Sequence, residues 1–228
     1  MRHLDFEVSP WPLPTVGSAF QIDHLPPLST RLVQPRGART TTGRVAIQIE
    51  GITIHDVKTW FGGAGDIRVD TLVVTRKSRT TPYRAGTWRF KNINDGDVLP
   101  FDKALAYHGD VRDFIDLRVW VSRDRDDSKD LSELISAQAN TPEFQGAAAA
   151  LLAVTTAAAG APIVAAVGAT ATLTAIAWRV LSQALPRSIG LYQTSLLAGD
   201  GFGLGRHPAN GMYRAQDFSF AFNVVHQP

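Results

Sequence analysis

The sequence predicts a mainly β fold with an α insertion, in which an antiparallel β-sandwich carries an Ala-rich α-helical hairpin. Three observations carry that expectation. In Phe114–Ser122, Ile115, Leu117, Val119 and Val121 alternate with Asp116, Arg118, Trp120 and Ser122, the period of a half-buried strand. In Tyr213–Val225, Phe218, Phe220, Phe222 and Val224 alternate with Ser219, Ala221 and Asn223, which predicts a strand lining a sandwich core. Between them, Gly146–Trp178 contains no charged side chain and consists mainly of Ala, Thr, Gly and Val.

The 228 residues suffice for one large domain, or a domain with an insertion, that buries roughly 70–75% of its unfolded surface. No cysteine is present, which removes disulfides, thiolate catalysis and Cys-ligated zinc. A formal net charge of +2, with the basic residues scattered, argues against a nucleic-acid partner. Met1–Val8 carries Arg2, His3, Asp5 and Glu7 without an apolar core, so it is no secretory signal, and a cytoplasmic chain is expected. Membrane association would then come through the hairpin. The scarcity of Lys and abundance of Ala and Arg resemble the usage of GC-rich bacterial genomes, an association without physical force.

Residues 1–43 hold six of the thirteen prolines and predict an extended arm, either lying on a surface or neighbouring subunit or forming a mobile tail. The sandwich is assigned to 44–126 and 187–228, and a helical insertion to 127–186. Along the first part, Val45, Ile47 and Ile49 share a face, and Ile52 and Ile54 rejoin it only if a residue is inserted at Gly51, as in a β-bulge. A Gly-rich turn at Gly62, Gly63 and Gly65 leads into a second strand, Asp66–Arg76. Trp88 and Phe90 mark a third, and Asn94–Asp97 mark a turn. Val98–Tyr107 reads as a further strand or an irregular crossing, and Ile189–Leu197 as another strand.

Leu131, Leu134, Ile135 and Gln138 predict a short amphipathic helix starting near Asp127 or Ser128. Thr141, Pro142 and Glu143 supply N-cap, N1 and N2 residues for the first hairpin helix, Pro142–Ala159; Gly160 to Pro162 break it, and Pro162–Leu185 forms the second. So much uncharged surface is not left in water. It packs on the sandwich, meets a partner, or enters a bilayer. The uncharged arms stand at or below bilayer-spanning length and are poor in Leu, Ile and Phe, which favours packing in a soluble protein over insertion.

The segment Val119-Trp120-Val121-Ser122-Arg123-Asp124-Arg125-Asp126-Asp127-Ser128-Lys129-Asp130 resembles the end of a Val-Trp strand followed by an acidic loop in C2-type β-sandwich domains. Thr81-Pro82-Tyr83 to Trp88-Arg89-Phe90 loosely resembles the Thr, Pro and Trp pattern that precedes a C2 core strand. The resemblance covers about residues 44–125 and the C-terminal strands. It implies a C2-like sandwich whose tip binds calcium through Asp124, Asp126 and Asp130, with Asp66 and Asp70 as further carboxylates. Read by itself, the acidic segment is a solvated charged turn or the N-terminus of the next helix. It is no EF-hand, because Lys129 and Ile135 occupy the positions that need Gly and Glu.

Gly199–Gly205 does not continue as a phosphate-binding loop before a helix, since Pro208 and Gly211 follow. The six His show no metal-binding spacing, and His207 near Asp200 is the one combination from which a hydrolase could be imagined. The expectation is therefore a non-enzymatic interaction or assembly module of a bacterial complex, with no catalytic residues and no cofactor apart from calcium at the acidic loop. Its partner is another protein or a second copy, reached through the arm and the hairpin. The alternatives are a membrane-active effector that docks by the sandwich tip and inserts 142–185, and a hydrolase.

Overall fold

The computed structural model describes residues 42–59, 63–76, 81–125, 127–153, 161–185 and 188–226. The predicted arm, residues 1–43, lies outside them except for its last two positions. The fold is mainly β, as the alternating segments predict. Among the described residues, nine strands join in one antiparallel network: β1 (Thr42–Ile54), β2 (Gly65–Arg76), β3 (Tyr83–Ile93), β4 (Val98–Leu99), β5 (Ala104–Arg123), β6 (Ser188–Leu197), β7 (Gly205–His207), β8 (Tyr213–Ala215) and β9 (Phe218–His226). Three helices, α1 (Leu131–Ser136), α2 (Pro142–Ala153) and α3 (Ala161–Ala184), stand between β5 and β6 in the chain. The main path runs β3-β2-β5-β1-β9-β7, with β4 beside β1, β6 beside β5 and β8 beside β9.

The topology turns on β5. Its first half pairs with β1, from Thr42 opposite Arg112 to Ile49 opposite Ala104. Its second half lies between β2 and β6, with Trp120 opposite both Asp70 and Leu191. Asp113 takes a positive φ of 66° where β5 changes neighbours. Strands on either side of this corner face each other across a shared core, an arrangement that fits a β-sandwich. The core joins Val45, Ile47, Ile49 and Ile52 of β1, Ile115, Leu117, Val119 and Val121 of β5, and Phe218, Phe220 and Phe222 of β9. Full burial of each such side chain contributes about 1.5–3 kcal/mol.

The bulge in β1 is present. Ile49 pairs with Phe222 and Gly51 with Ala221, so Glu50 is the extra residue, one position before the expected insertion point. The bulge keeps Ile47, Ile49, Ile52 and Ile54 in the core and lets Glu50 accept from Arg206 Nε at 2.6 Å.

Three expectations are corrected. The 114–122 strand is not half buried: Asp116, Arg118, Trp120 and Ser122 are all at most 8% exposed, because the helices cover the face that alternation assigns to solvent. Nor does it begin at Phe114, since β5 runs unbroken from Ala104, and the segment Val98–Tyr107, expected as a further strand or an irregular crossing, is β4, a turn and the start of β5. Finally, Tyr213–Val225 is two strands. Gln216, at φ 57°, turns the chain so that Ala215 pairs with Phe218 and Tyr213 with Phe220 in a tight hairpin.

Helices α1–α3 cover β2, β3 and the second half of β5 through a separate apolar cluster. Phe144, Ala147 and Leu151 of α2 and Leu173, Ile176 and Ala177 of α3 pack with Leu131 and Ile135 of α1 onto Leu72, Val74 and Trp120. The α2 N-terminus forms as its residues predict, with Phe144 N–H donating to Thr141 Oγ1 at 3.3 Å. Residues 154–160, which hold the end of the expected first helix and Gly160 of the expected break, lie outside the described residues, and α3 already begins at Ala161, inside that break.

Candidate functional site

The acidic loop after β5 was the leading sequence candidate. Two of its proposed ligands do converge, but on an arginine. Arg89, projecting from β3, places Nε 3.1 Å from Asp124 Oδ2 and NH1 2.5 Å from Asp130 Oδ1, and its NH2 donates to the Ser128 carbonyl at 2.6 Å. The Asp124 side chain is 1% exposed and also accepts from Ser128 Oγ at 2.9 Å. Burial weakens the Arg89 charge, yet the hydrogen bond it donates to Asp130 and the charge of Asp124 outweigh this and raise its pKa. Asp126 lies outside the described residues.

Behind this clamp stands a second, fully buried one. Arg68 and Asp70 point to the same side of β2 and pair in bidentate fashion, Nε to Oδ2 at 2.7 Å and NH2 to Oδ1 at 2.8 Å. Arg68 NH1 reaches Ser128 Oγ at 2.9 Å and the Lys129 carbonyl at 2.7 Å. Thr87 Oγ1 donates to Asp70 at 2.6 Å and accepts from the Leu131 N–H at 2.9 Å, which ties the first residue of α1 to the sheet. Asp70 is thus committed to Arg68. Asp66, the other carboxylate considered for the tip, accepts from Lys91 Nζ at 2.8 Å and the Asn92 N–H at 3.1 Å, contacts that hold its pKa low. Among the described residues, no three His, Asp or Glu side chains are placed to hold a metal ion together.

His207 is 6% exposed and stacks on Phe222, with ring centroids 4.8 Å apart and planes 12° from parallel. Its Nε2 meets the Gly203 carbonyl. The Gly-rich segment before it is a 3-10 turn, Ala198–Gly203, which leads into the short strand β7, where a nucleotide-binding loop would need a helix.

The hairpin presents the larger candidate surface. Its inner side is spent on the sheet, and Glu143 and Arg179 tie its base through two hydrogen bonds of 3.1 and 3.2 Å. Its outer side carries exposed Gln145, Gly146, Ala149, Gly168 and Ala171, with no charge among them. Among the described residues, no helix is long and apolar enough to cross a membrane.

Sequence reasoning missed both arginine clamps, because Arg89 is 41 residues from Asp130 and Arg68 is 60 from Ser128. It also missed a cleft of about 220 Å³ between the end of α3 and the start of β6, whose walls include Trp120 and Trp178. No protein-family model, curated protein or solved structure matches the chain.

Proposed function

We propose that this chain is a non-enzymatic interaction module, in which a C2-like sandwich serves as platform for a helical hairpin that contacts another protein or a second copy. The observation that carries this reading is the outer side of the hairpin, where Gly146, Ala149, Gly168 and Ala171 are exposed without a charged neighbour on either helix between Gln145 and Trp178. Small side chains let two helical surfaces approach closely, and uncharged ones spare the desolvation that a charged face would demand on contact. The inner side is rigidly held, so such a face is presented in one orientation. The clamps at the acidic loop support the same reading, since they fix α1, and with it the helical layer, to the sheet.

Sedimentation velocity over a range of concentrations tests the proposal. The wild-type chain is expected to self-associate or to co-sediment with a partner recovered from its native source, and Ala149→Glu and Ala171→Glu, both at exposed positions, to abolish that association while remaining folded. A wild-type chain that stays monomeric and partnerless, or variants that associate as well as it does, would overturn the reading.

The uncharged stretch from Gly146 to Trp178 also favours a second reading, a membrane-active effector in which the hairpin leaves the sheet and enters lipid. Dye release from anionic vesicles separates the two. Under this reading the wild-type chain releases dye and Ala171→Asp does not; intact vesicles leave the protein-contact module as the better account.

A further inference from the structure

We propose that the cleft between α3 and the β5–β6 edge is a binding site for a small, neutral aromatic molecule bearing a hydrogen-bond acceptor. Its walls are Trp178 and Leu181 from the last turns of α3, Leu185 directly after it, and Trp120, Ser122 and Ser188 from the sheet. Two indoles and two leucines supply apolar, ring-shaped contact surface, and no described side chain lining the cleft is charged. A volume of about 220 Å³ limits the occupant to a single ring system with small substituents.

Two further features set this cleft apart from a mere gap in packing. Trp120 and Ser122, 3% and 4% exposed, carry an indole Nε1–H and a hydroxyl that are buried without a hydrogen-bond partner. Buried donors are nearly always paired in folded proteins, and these two belong to residues of the cleft wall, where an acceptor brought from outside the chain would complete them. The ladder between β5 and β6 also slips at this point. Val121 pairs with Gly190 but Ser122 with Ser188, so Ile189 bulges and opens the sheet beside the cleft. The bulged strand is nonetheless held firmly. A Cβ on Gly190 would stand 2.7 Å from the Ala215 carbonyl oxygen and 2.8 Å from the Phe218 ring, so backbone and core are already in tight contact there. The wall is therefore preformed, which lowers the ordering cost of binding.

Benzamide serves as the probe, with a neutral ring, a carbonyl acceptor for the indole and an amide for the serines; benzoate is its charged control. The five Trp indole N–H resonances of the full chain are followed by NMR, with Trp120 and Trp178 assigned through Trp120→Phe and Trp178→Phe. Benzamide is expected to shift these two resonances saturably in the millimolar range and to leave the other three in place. Benzoate is expected to bind at least roughly tenfold more weakly, since none of the described side chains lining the cleft offers it a cation. Ser182→Trp and Ser188→Phe plug the cleft from its two exposed rims and should abolish the shifts while the rest of the spectrum stays native. Absence of a saturable shift at Trp120 and Trp178, undiminished shifts in both plugged variants, or equal binding of benzoate would each overturn the proposal.

Discussion

Arg68 and Asp70 lie two residues apart on the same side of β2 and form a bidentate ion pair with 0% exposure of either side chain. Removing two charges from water is costly, and their attraction repays that cost only when the remaining donors and acceptors are satisfied. Here they are, by Thr87, Ser128 and the Lys129 carbonyl. Even so, burial dominates and raises the Asp70 pKa. Asp70→Leu leaves the guanidinium buried and unpaired and should cost about 3–5 kcal/mol. The double variant Arg68→Met/Asp70→Leu should recover most of that loss, and the part left over measures what the Ser128 and Lys129 contacts contribute to docking α1. Urea denaturation of the two variants beside the wild-type chain checks both; a double variant no better than Asp70→Leu would show that the pinning of α1, more than the charge pair, is what matters.

The Arg89 clamp yields a prediction about calcium. The ion takes six to eight oxygens from converging carboxylates and carbonyls. Asp124 and Asp130 instead have a guanidinium between them. Millimolar calcium is therefore expected to leave the melting temperature of the wild-type chain unchanged. Arg89→Gln should lower stability by about 1 kcal/mol, because Arg89 is 34% exposed at its side chain and solvent screens the pair. A calcium-dependent rise in the wild-type melting temperature, reversed by a chelator, would show that the loop gives up Arg89 for the ion.

Gly190 is required for space. The nearest neighbours of an added Cβ are a backbone carbonyl and a core aromatic ring, at 2.7 and 2.8 Å, and neither can move without disturbing β8 or β9. Gly190→Ala should cost about 1–3 kcal/mol, the usual range for overpacking a closed core. Gly146→Ala has no atom within 4 Å of the new Cβ and relieves a helix-interior glycine, so it should gain up to about 1 kcal/mol. Chemical denaturation of the pair gives opposite signs if the space argument holds.

Where one side of a strand meets the core and the other meets water, period-2 alternation made the element legible; β1, including its bulge, and β9 are such cases. The same logic failed for the second half of β5, which lies between the sheet core and the helical layer. Asp116 and Arg118 alternate with Ile115 and Leu117 just as solvent-facing residues do, and nothing local shows that they neutralise each other beneath a helix. The partner of the acidic loop was hidden for a related reason. Its carboxylates were visible, but the cation that answers them sits on β3, 41 residues away from Asp130. The hairpin between β8 and β9 was hidden because Gln216-Asp217 contains no glycine, although Gln216 adopts a positive φ. Trp120 and Trp178 meet at the cleft only because β5 and the end of α3 pack against each other.

Asp116 supplies a pH signature. It is buried beside Arg118, whose NH1 stands 2.5 Å from its Oδ1, and it accepts from Ser195 Oγ at 3.1 Å. Burial outweighs these partners and pushes its pKa up to about 6, while the same burial lowers that of Arg118. An acid whose pKa is higher in the folded than in the unfolded chain binds more protons when folded between the two values. Its contribution to stability is then fully present below about pH 4 and falls as pH rises through about 6, opposite in sign to that of Asp66, whose pKa is lowered. The difference spans about two pH units, or about 3 kcal/mol. Asp116→Asn removes the titration and keeps the shape. Relative to this variant, the wild-type chain should lose about 3 kcal/mol of unfolding free energy between pH 4 and pH 7, as measured by urea denaturation at closely spaced pH. A difference that does not change with pH would mean that Arg118 holds the carboxylate ionised throughout the range.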